Sequence, residues 1–425
     1  MRSADLLILG AGQVVTVDGG RAATKRGAKE MNDLRVIEDG ALAIKRGRIA
    51  AVGTTNEILG SWRGLQRLHM RGRAVLPGFV DCHTHPVFAR TRDDEFAMRC
   101  RGEDYEAILA AGGGIHASAR ALREKRVPDL ARDVTARFDS MLEHGTVAVE
   151  AKSGYGLTLR SELDSLKAIR RAAHDHPITA VRTFLGAHVV PQEYAKRRGE
   201  YVDLVVNEML PRVAKQKLAQ YCDVFVEKGA FSVTEARRIL RAAKRLGLGA
   251  KVHADQFRDS GGARLAAELK AVSVEHVDAT GPTGRKALAK AGVVPVLLPS
   301  ASLFTHLKHV PNARALIEAN CAVALSTDFN PGTSPTENLQ LVASLGCTLL
   351  GMTPEEVITA ITRNAAAACG LEKTHGRIAV GRPAHLVVID APNYVHIPYR
   401  MGTNLVHQVL VNGRLVVDEG RRVTS

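Results

Sequence analysis

The 425-residue chain is poor in the features that mark several large protein classes. Its six cysteines, Cys82, Cys100, Cys222, Cys321, Cys347 and Cys369, form no Cys-x-x-Cys pair, and several sit inside apolar runs. That argues against a disulfide framework or a zinc ribbon and fits a reducing compartment, so a cytoplasmic location is expected. Aromatic residues make up 4 % of the chain, with one tryptophan, too few for a surface built on base stacking. No apolar run approaches the roughly 20 residues of a bilayer span. The opening stretch from Leu6 is broken by Gly10 and Gly12 and reads as a strand rather than a signal peptide. No Gly-x-Gly-x-x-Gly opens a helix, and Gly112-Gly113-Gly114, with no strand before it, reads as a flexible loop.

Charge of one sign is the one excess: 58 basic against 44 acidic residues, a net +14. The basic residues fall in short scattered clusters (Lys45–Arg48, Lys196–Arg198, Lys244 with Arg245), which read as solvated faces. A small acidic substrate is the expected partner, with neither nucleic acid nor membrane. Hydrophobic residues at 45 % and charged residues at 24 % complete the balance of an enzyme-sized globular chain.

Both ends of the chain are strand-like. Asp5–Leu9, Gln13–Val17, Ala41–Lys45 and Arg48–Val52 open it, and His385–Asp390, His407–Val411 and Arg414–Asp418, with an Asn412-Gly413 turn, close it. Neither end has enough strands to bury a face alone, so residues 1–74 and 370–425 are expected to form one small β-sandwich domain. Between them, residues 75–369 alternate apolar runs with helical stretches. The eight runs begin at Val75, Val147, Ile178, Cys222, Gly249, Ala271, Val293 and Ala322. Eight β-α units predict an α/β (β/α)8 TIM barrel; a doubly wound open sheet is the competitor.

In such a barrel the C-terminal strand ends share one mouth, and polar residues there are the ones to count. The first run ends in Asp81-Cys-His83-Thr-His85, where alternate residues face the same side. Later runs end in His188, His253, His276 and Asp328. Each histidine alone is commonplace, but the conjunction is not. His83, His85, His253 and Asp328 are placed to hold one divalent ion, and three imidazoles with a carboxylate suit Zn²⁺ or Fe²⁺ better than Mg²⁺ or Ca²⁺.

The passage Leu76-Pro-Gly-Phe-Val-Asp-Cys-His-Thr-His85 resembles the amidohydrolase superfamily. Lys152-Ser-Gly-Tyr-Gly-Leu157, Thr183–His188, His253-Ala-Asp255 and Ser326–Asn338 narrow the resemblance to the imidazolonepropionase family, and it extends over nearly the whole chain. It implies metal-dependent hydrolysis of the cyclic amide of 4-imidazolone-5-propanoate to N-formimino-L-glutamate, as in histidine degradation, with one ion on His83, His85, His253 and Asp328. It further implies a pocket lined by Arg92, Tyr105, Tyr155, His188, Asn330, Gly332 and Thr333. Gln256 joins them where some members carry glutamate, and an amide cannot take a proton at neutral pH. Asp328 and His276 are then the expected proton carriers, with His188 and His276 placed to stabilise the oxyanion. Arg92 suits a bidentate grip on the propionate, its alternative being a surface pair with Asp93, Asp94 or Glu95. The family also leads one to expect a homodimer. The superfamily motif alone leaves another cyclic deaminase or amidohydrolase open, acting on a purine, pyrimidine or hydantoin.

Overall fold

A computed structural model describes residues 1–103, 113–307 and 309–423. Gly112 of the triple glycine and Tyr105 of the expected pocket lie outside the described residues.

The chain opens with β1 (Arg2–Val15), β2 (Val36–Lys45), β3 (Arg48–Thr54), β4 (Trp62–His69) and β5 (Ala74–Pro77). The two opening runs seen in the sequence are one strand. Gly10, at φ 66°, sits where the β1–β2 register shifts between Ile8 and Ala11, so the glycines bulge the strand without ending it. Eight strands follow in the middle of the chain: β6 (Phe79–Thr84), β7 (Thr146–Lys152), β8 (Thr179–Ala187), β9 (Tyr221–Val226), β10 (Gly249–Ala254), β11 (Ser273–His276), β12 (Val294–Leu297) and β13 (Ala324–Leu325). The chain closes with β14 (Leu386–Ile389), β15 (Val406–Val411), β16 (Arg414–Asp418) and β17 (Arg421–Arg422).

The terminal strands form one nine-stranded mixed sheet, in which β5 pairs with β14 and so joins the two chain ends. Ile8, Leu42, Ile49, Val75, Leu386, Val388 and Leu410, drawn from both ends, share one buried cluster. The run expected to be a single strand from Val75 to Asp81 is two strands in two sheets. Pro77-Gly78 breaks it, the Gly78 N–H donates to the His385 carbonyl at 3.0 Å, and Val147 side-chain carbons lie 2.5 Å from where a Gly78 Cβ would stand.

Strands β6 to β13 lie side by side and parallel, with helices between them, in a nearly closed (β/α)8 barrel. Strands buried on both faces read as near-continuous apolar runs, which is why all seven residues of β7 are buried. The helices dock by one stripe: Leu163, Leu166 and Ile169 of the 159–172 helix, and Ala236, Ile239, Leu240 and Ala243 of the 233–245 helix, are buried. Ser232 and Glu235 start the latter with a reciprocal capping box.

Closure between β13 and β6 rests on a carboxylate. Asp81 accepts from the Thr327 N–H (3.1 Å), the Thr327 hydroxyl (2.6 Å) and the Ser326 hydroxyl. Beyond it the His85 N–H donates to the Phe329 carbonyl at 2.8 Å. Those bonds set the height of Asp328 relative to His83 and His85.

Candidate metal centre and cavity

His83 and His85 alternate along β6, His253 stands near the end of β10, and Asp328 follows β13. Their ligand atoms converge. Nε2 of His83 and Nε2 of His85 are 3.3 Å apart, Nε2 of His253 is 3.4 Å from that of His85, and Asp328 Oδ1 is 3.4 and 3.6 Å from the first two. Four ligands about 2.0–2.1 Å from one ion stand about 3.3–3.4 Å from each other at tetrahedral angles, so these separations suit a shared divalent cation. The electrostatics agree. Burial pushes the His83 and His85 pKa values well below the ordinary histidine range, leaving neutral imidazoles. Burial pushes Asp328 well above the usual carboxylate range, so it keeps its charge only beside a cation. Clustered lone pairs and a desolvated carboxylate are costly without a positive partner and natural with one.

Beneath these ligands lies a layer of charge. Glu150 and Lys152 of β7, Asp223 of β9, Lys251 of β10 and Glu275 of β11 are each no more than 1 % exposed. Lys152 Nζ reaches Glu150 Oε1 at 2.9 Å and Asp223 Oδ2 at 2.8 Å, and Lys251 Nζ reaches Glu150 at 3.0 Å and Glu275 at 3.5 Å. Asp223 Oδ2 is also 2.8 Å from His253 Nδ1, and Asp223 Oδ1 accepts from the His253 backbone N–H at 3.1 Å. Burial alone would raise the Asp223 pKa; His253 and Lys152 more than reverse that and hold it well below the usual range. The ring of His253 is thereby fixed with Nε2 toward the other ligands. None of these five residues stood among the expected site residues. The signal was present, since Lys251 is two residues before His253 and therefore on the same face of β10.

His276 directly follows Glu275, and strict alternation would turn one of the two away. Its φ of 70° takes it off the strand's alternation, and its ring lies 5.5 Å from that of His253. Asp278 Oδ2 is 4.0 Å from His276 Nδ1, and burial pushes the Asp278 pKa up to about 7. Asp255 ties the loop after β10 by accepting from Ser260 N–H (2.9 Å), Gly262 N–H (3.1 Å) and the Thr280 hydroxyl (2.8 Å).

A cavity of about 840 Å³ opens above the cluster. Arg92, Tyr155, His188, Gln256, Asn330 and Thr333 line it together with His85, His253, His276 and Asp328. Gly332 stands behind Arg92 instead of on the wall. A Cβ there would come 2.1 Å from Arg92 Nη1, so only glycine lets the guanidinium lie where it does. Asn330 spends its amide on its own loop: Nδ2 donates to the Asp328 carbonyl (2.6 Å) and the Thr333 hydroxyl (2.7 Å), and Oδ1 accepts from the Gly332 and Thr333 N–H groups at 2.9 and 2.8 Å. It shapes the wall at Asp328.

Two of the expected pocket residues have fixed protein partners. Arg92 was expected either to grip substrate with its forked edge or to pair at the surface. It pairs with Glu95, one of the partners the alternative named, in a fork that is buried rather than at the surface, Nε to Oε1 at 2.8 Å and Nη2 to Oε2 at 2.5 Å. His188 was expected to help stabilise an oxyanion. Its Nδ1 lies 3.1 Å from the Gly154 carbonyl, which only accepts, so Nδ1 carries the proton. Burial lowers the His188 pKa to about 3; the ring is neutral at pH 7 and Nε2 is a bare acceptor. Tyr155 is buried 5.5 Å from the His188 ring, and burial holds its hydroxyl protonated.

Residues 74–416 match the model of the amidohydrolase family. An imidazolonepropionase of Symbiobacterium thermophilum is 48 % identical over 425 residues, 99 % of each chain. Those of Geobacillus sp. (strain WCH70) and Alkaliphilus metalliredigens are 44 % and 43 % identical over 98 % of this chain and 99 % of theirs. The chain belongs to the imidazolonepropionase family of amidohydrolases. Solved structures share the fold: a zinc-bound adenosine deaminase from Xanthomonas campestris at TM-score 0.71 and 19 % identity, covering 100 % of this chain and 95 % of that one. Guanine deaminase of E. coli also matches at TM-score 0.71 and 16 % identity, covering 97 % and 99 %.

Proposed function

We propose that the chain hydrolyses the ring amide of 4-imidazolone-5-propanoate: water adds to the carbonyl carbon, the C–N bond breaks, and N-formimino-L-glutamate leaves. What carries this reading is near-full-length similarity to imidazolonepropionases, joined to the convergence of His83, His85 and Asp328, with His253 Nε2 3.4 Å from His85 Nε2. His83, His85, His253 and Asp328 would hold one Zn²⁺ or Fe²⁺ per chain. Such an ion supplies Lewis acidity, polarising a carbonyl and bringing the pKa of water from 15.7 to about 7.

The chain's own residues do the rest. Asp328, desolvated and facing the cavity, takes the proton from the attacking water and returns it to the departing ring nitrogen, work typically worth about 10²–10⁴ in rate. His276, backed by Asp278, faces the carbonyl oxygen as negative charge grows there. His188 Nε2 accepts from a ring N–H and so orients the imidazolone. Tyr155 donates its hydroxyl to the propionate carboxylate, and Arg92, forked to Glu95, adds its positive charge beside it. Gln256, which lines the cavity, is left to meet the ring. No described helix is long and apolar enough to cross a membrane. A cytoplasmic homodimer is the working state under this reading.

The test is turnover of 4-imidazolone-5-propanoate by the purified chain, followed by loss of the ring's ultraviolet absorbance, with guanine and cytosine as controls. Hydrolysis of the imidazolone alone, lost in Asp328→Asn, is expected. Turnover of a control base without the imidazolone, or an Asp328→Asn variant of near-normal rate, would overturn the reading.

A further inference from the structure

The Asp93–Cys100 helix presents Glu95 and Arg99, four residues apart, on one face toward the cavity. Glu95 is already committed: it forks with Arg92, and its Oε1 also accepts from the Gly114 N–H at 2.8 Å. Arg99 is not. Its Nη2 donates to the Gly332 carbonyl at 2.8 Å, while its Nε is buried with no hydrogen-bond partner among the described residues. The guanidinium lies 5.1 Å over the ring of Phe304, which stacks on Phe96 at 5.0 Å. An aromatic face under a guanidinium fixes its plane and leaves the N–H edge for an acceptor in that plane.

Two arginines therefore meet at one glycine, Arg92 against the Gly332 Cα and Arg99 on its carbonyl, with Glu95 forked to Arg92. Among the described acids of this wall, Glu103 lies 3.1 Å from Arg101, and Glu227 lies 3.3 Å from Arg258. We propose that Arg99 is a second carboxylate receptor of the cavity, holding with Arg92 the acid at the end of the substrate's aliphatic arm and so setting the preference for anionic over uncharged ligands. This inference rests on the proposed substrate. Burial and the charge of Arg92 both lower the Arg99 pKa. A carboxylate between the two guanidiniums supplies the missing acceptor to the buried Nε–H and screens one cation from the other. Arginine is needed because a lysine at 99 would keep the charge but neither the in-plane fork nor the stacking on Phe304.

Binding and turnover are measured separately on wild type, Arg99→Met and Arg99→Lys. By calorimetry, wild type should bind 3-(imidazol-4-yl)propanoate at least about tenfold more tightly than the corresponding amide. Arg99→Met should lose most of that preference and Arg99→Lys keep part of it, with amide affinity the same in all three. In turnover, Arg99→Met should raise KM for the imidazolone acid about tenfold or more, kcat moving by less than about threefold, while KM for its methyl ester stays put. Equal losses for acid and amide, or for acid and ester, would make Arg99 a structural residue and overturn the inference; so would an unchanged preference. Wild type that binds the acid analogue selectively but does not hydrolyse the imidazolone would instead sink the proposed reaction and leave Arg99 standing.

Discussion

Replacing Lys152 by methionine removes one cation from a barrel interior that holds three carboxylates within reach. Its Nζ bridges Glu150 and Asp223 at 2.9 and 2.8 Å, and all three side chains are buried. Without it, Asp223 must stay ionised beside a single partner or take up a proton. Protonation caps the cost. A carboxyl with an unfolded pKa near 3.9 costs about 1.36 kcal/mol for each pH unit above that value to hold neutral, hence about 4 kcal/mol at pH 7 and about 1.5 at pH 5. The upper figure agrees with the 3–5 kcal/mol typical of breaking a buried pair. The sign follows. In the parent Asp223 sits below its ordinary range, and the stability this brings is present above the unfolded pKa and lost as pH falls. In the variant its pKa is raised, so the deficit grows as pH rises. With an unfolding entropy of roughly 2.1 cal/mol/K per residue, 4 kcal/mol shifts Tm by about 4–5 °C for a chain of this length, shrinking to about 2 °C at pH 5. Scanning calorimetry at the two pH values reads both numbers. Lys167→Met, which breaks the half-exposed pair with Asp164, is the control and should cost under about 1 kcal/mol. A Lys152→Met deficit below 1 kcal/mol, or one that does not shrink on acidification, would refute the reasoning.

Other outcomes follow from the same geometry. His375 and His385 stack at 4.3 Å, and burial lowers their pKa values to about 3 and about 4, so both are neutral in the fold while the unfolded chain binds protons near pH 6.5. The protein therefore loses stability as pH falls below about 6.5, by about 2 kcal/mol per histidine at pH 5. His375→Gln should remove about half of that dependence in thermal scans, and an unchanged slope would contradict it. Gly332→Ala drives a methyl into the space of Arg92 Nη1, at 2.1 Å, and must displace the end of that flexible side chain. KM for the imidazolone should rise about tenfold with Tm within about 2 °C; a normal KM would mean that Arg92 does not touch substrate.

Much of the frame was legible because strand ends in a parallel barrel share one mouth. His83, His85, His253, His276 and Asp328 could be collected without knowing a contact. The eight runs also match the observed strands to within a few residues, the exception being the first, where Pro77-Gly78 hands the chain from one sheet to the other. The charged layer was harder to read. Glu150, Lys152, Lys251 and Glu275 alternate with apolar residues as half-exposed strands do, and only barrel closure turns that polar face inward. Asp81 and Ser326–Thr327, like Arg92, Arg99 and Gly332, pair across more than two hundred residues, and no local pattern announces such a partner. Nor does sequence report a tautomer: the role of His188 turned on the Gly154 carbonyl, which the chain brings to Nδ1 only once β8 is in place.

The most direct measurement is a metal titration of turnover. Chelator-stripped protein is titrated with Zn²⁺ or Fe²⁺ under anaerobic conditions while hydrolysis of 4-imidazolone-5-propanoate is followed, in wild type and His85→Ala. Activity should rise linearly, break at one ion per chain, and fail to rise in the variant. Full turnover by the stripped protein, or a break at two ions, would contradict a single cation held by His83, His85, His253 and Asp328.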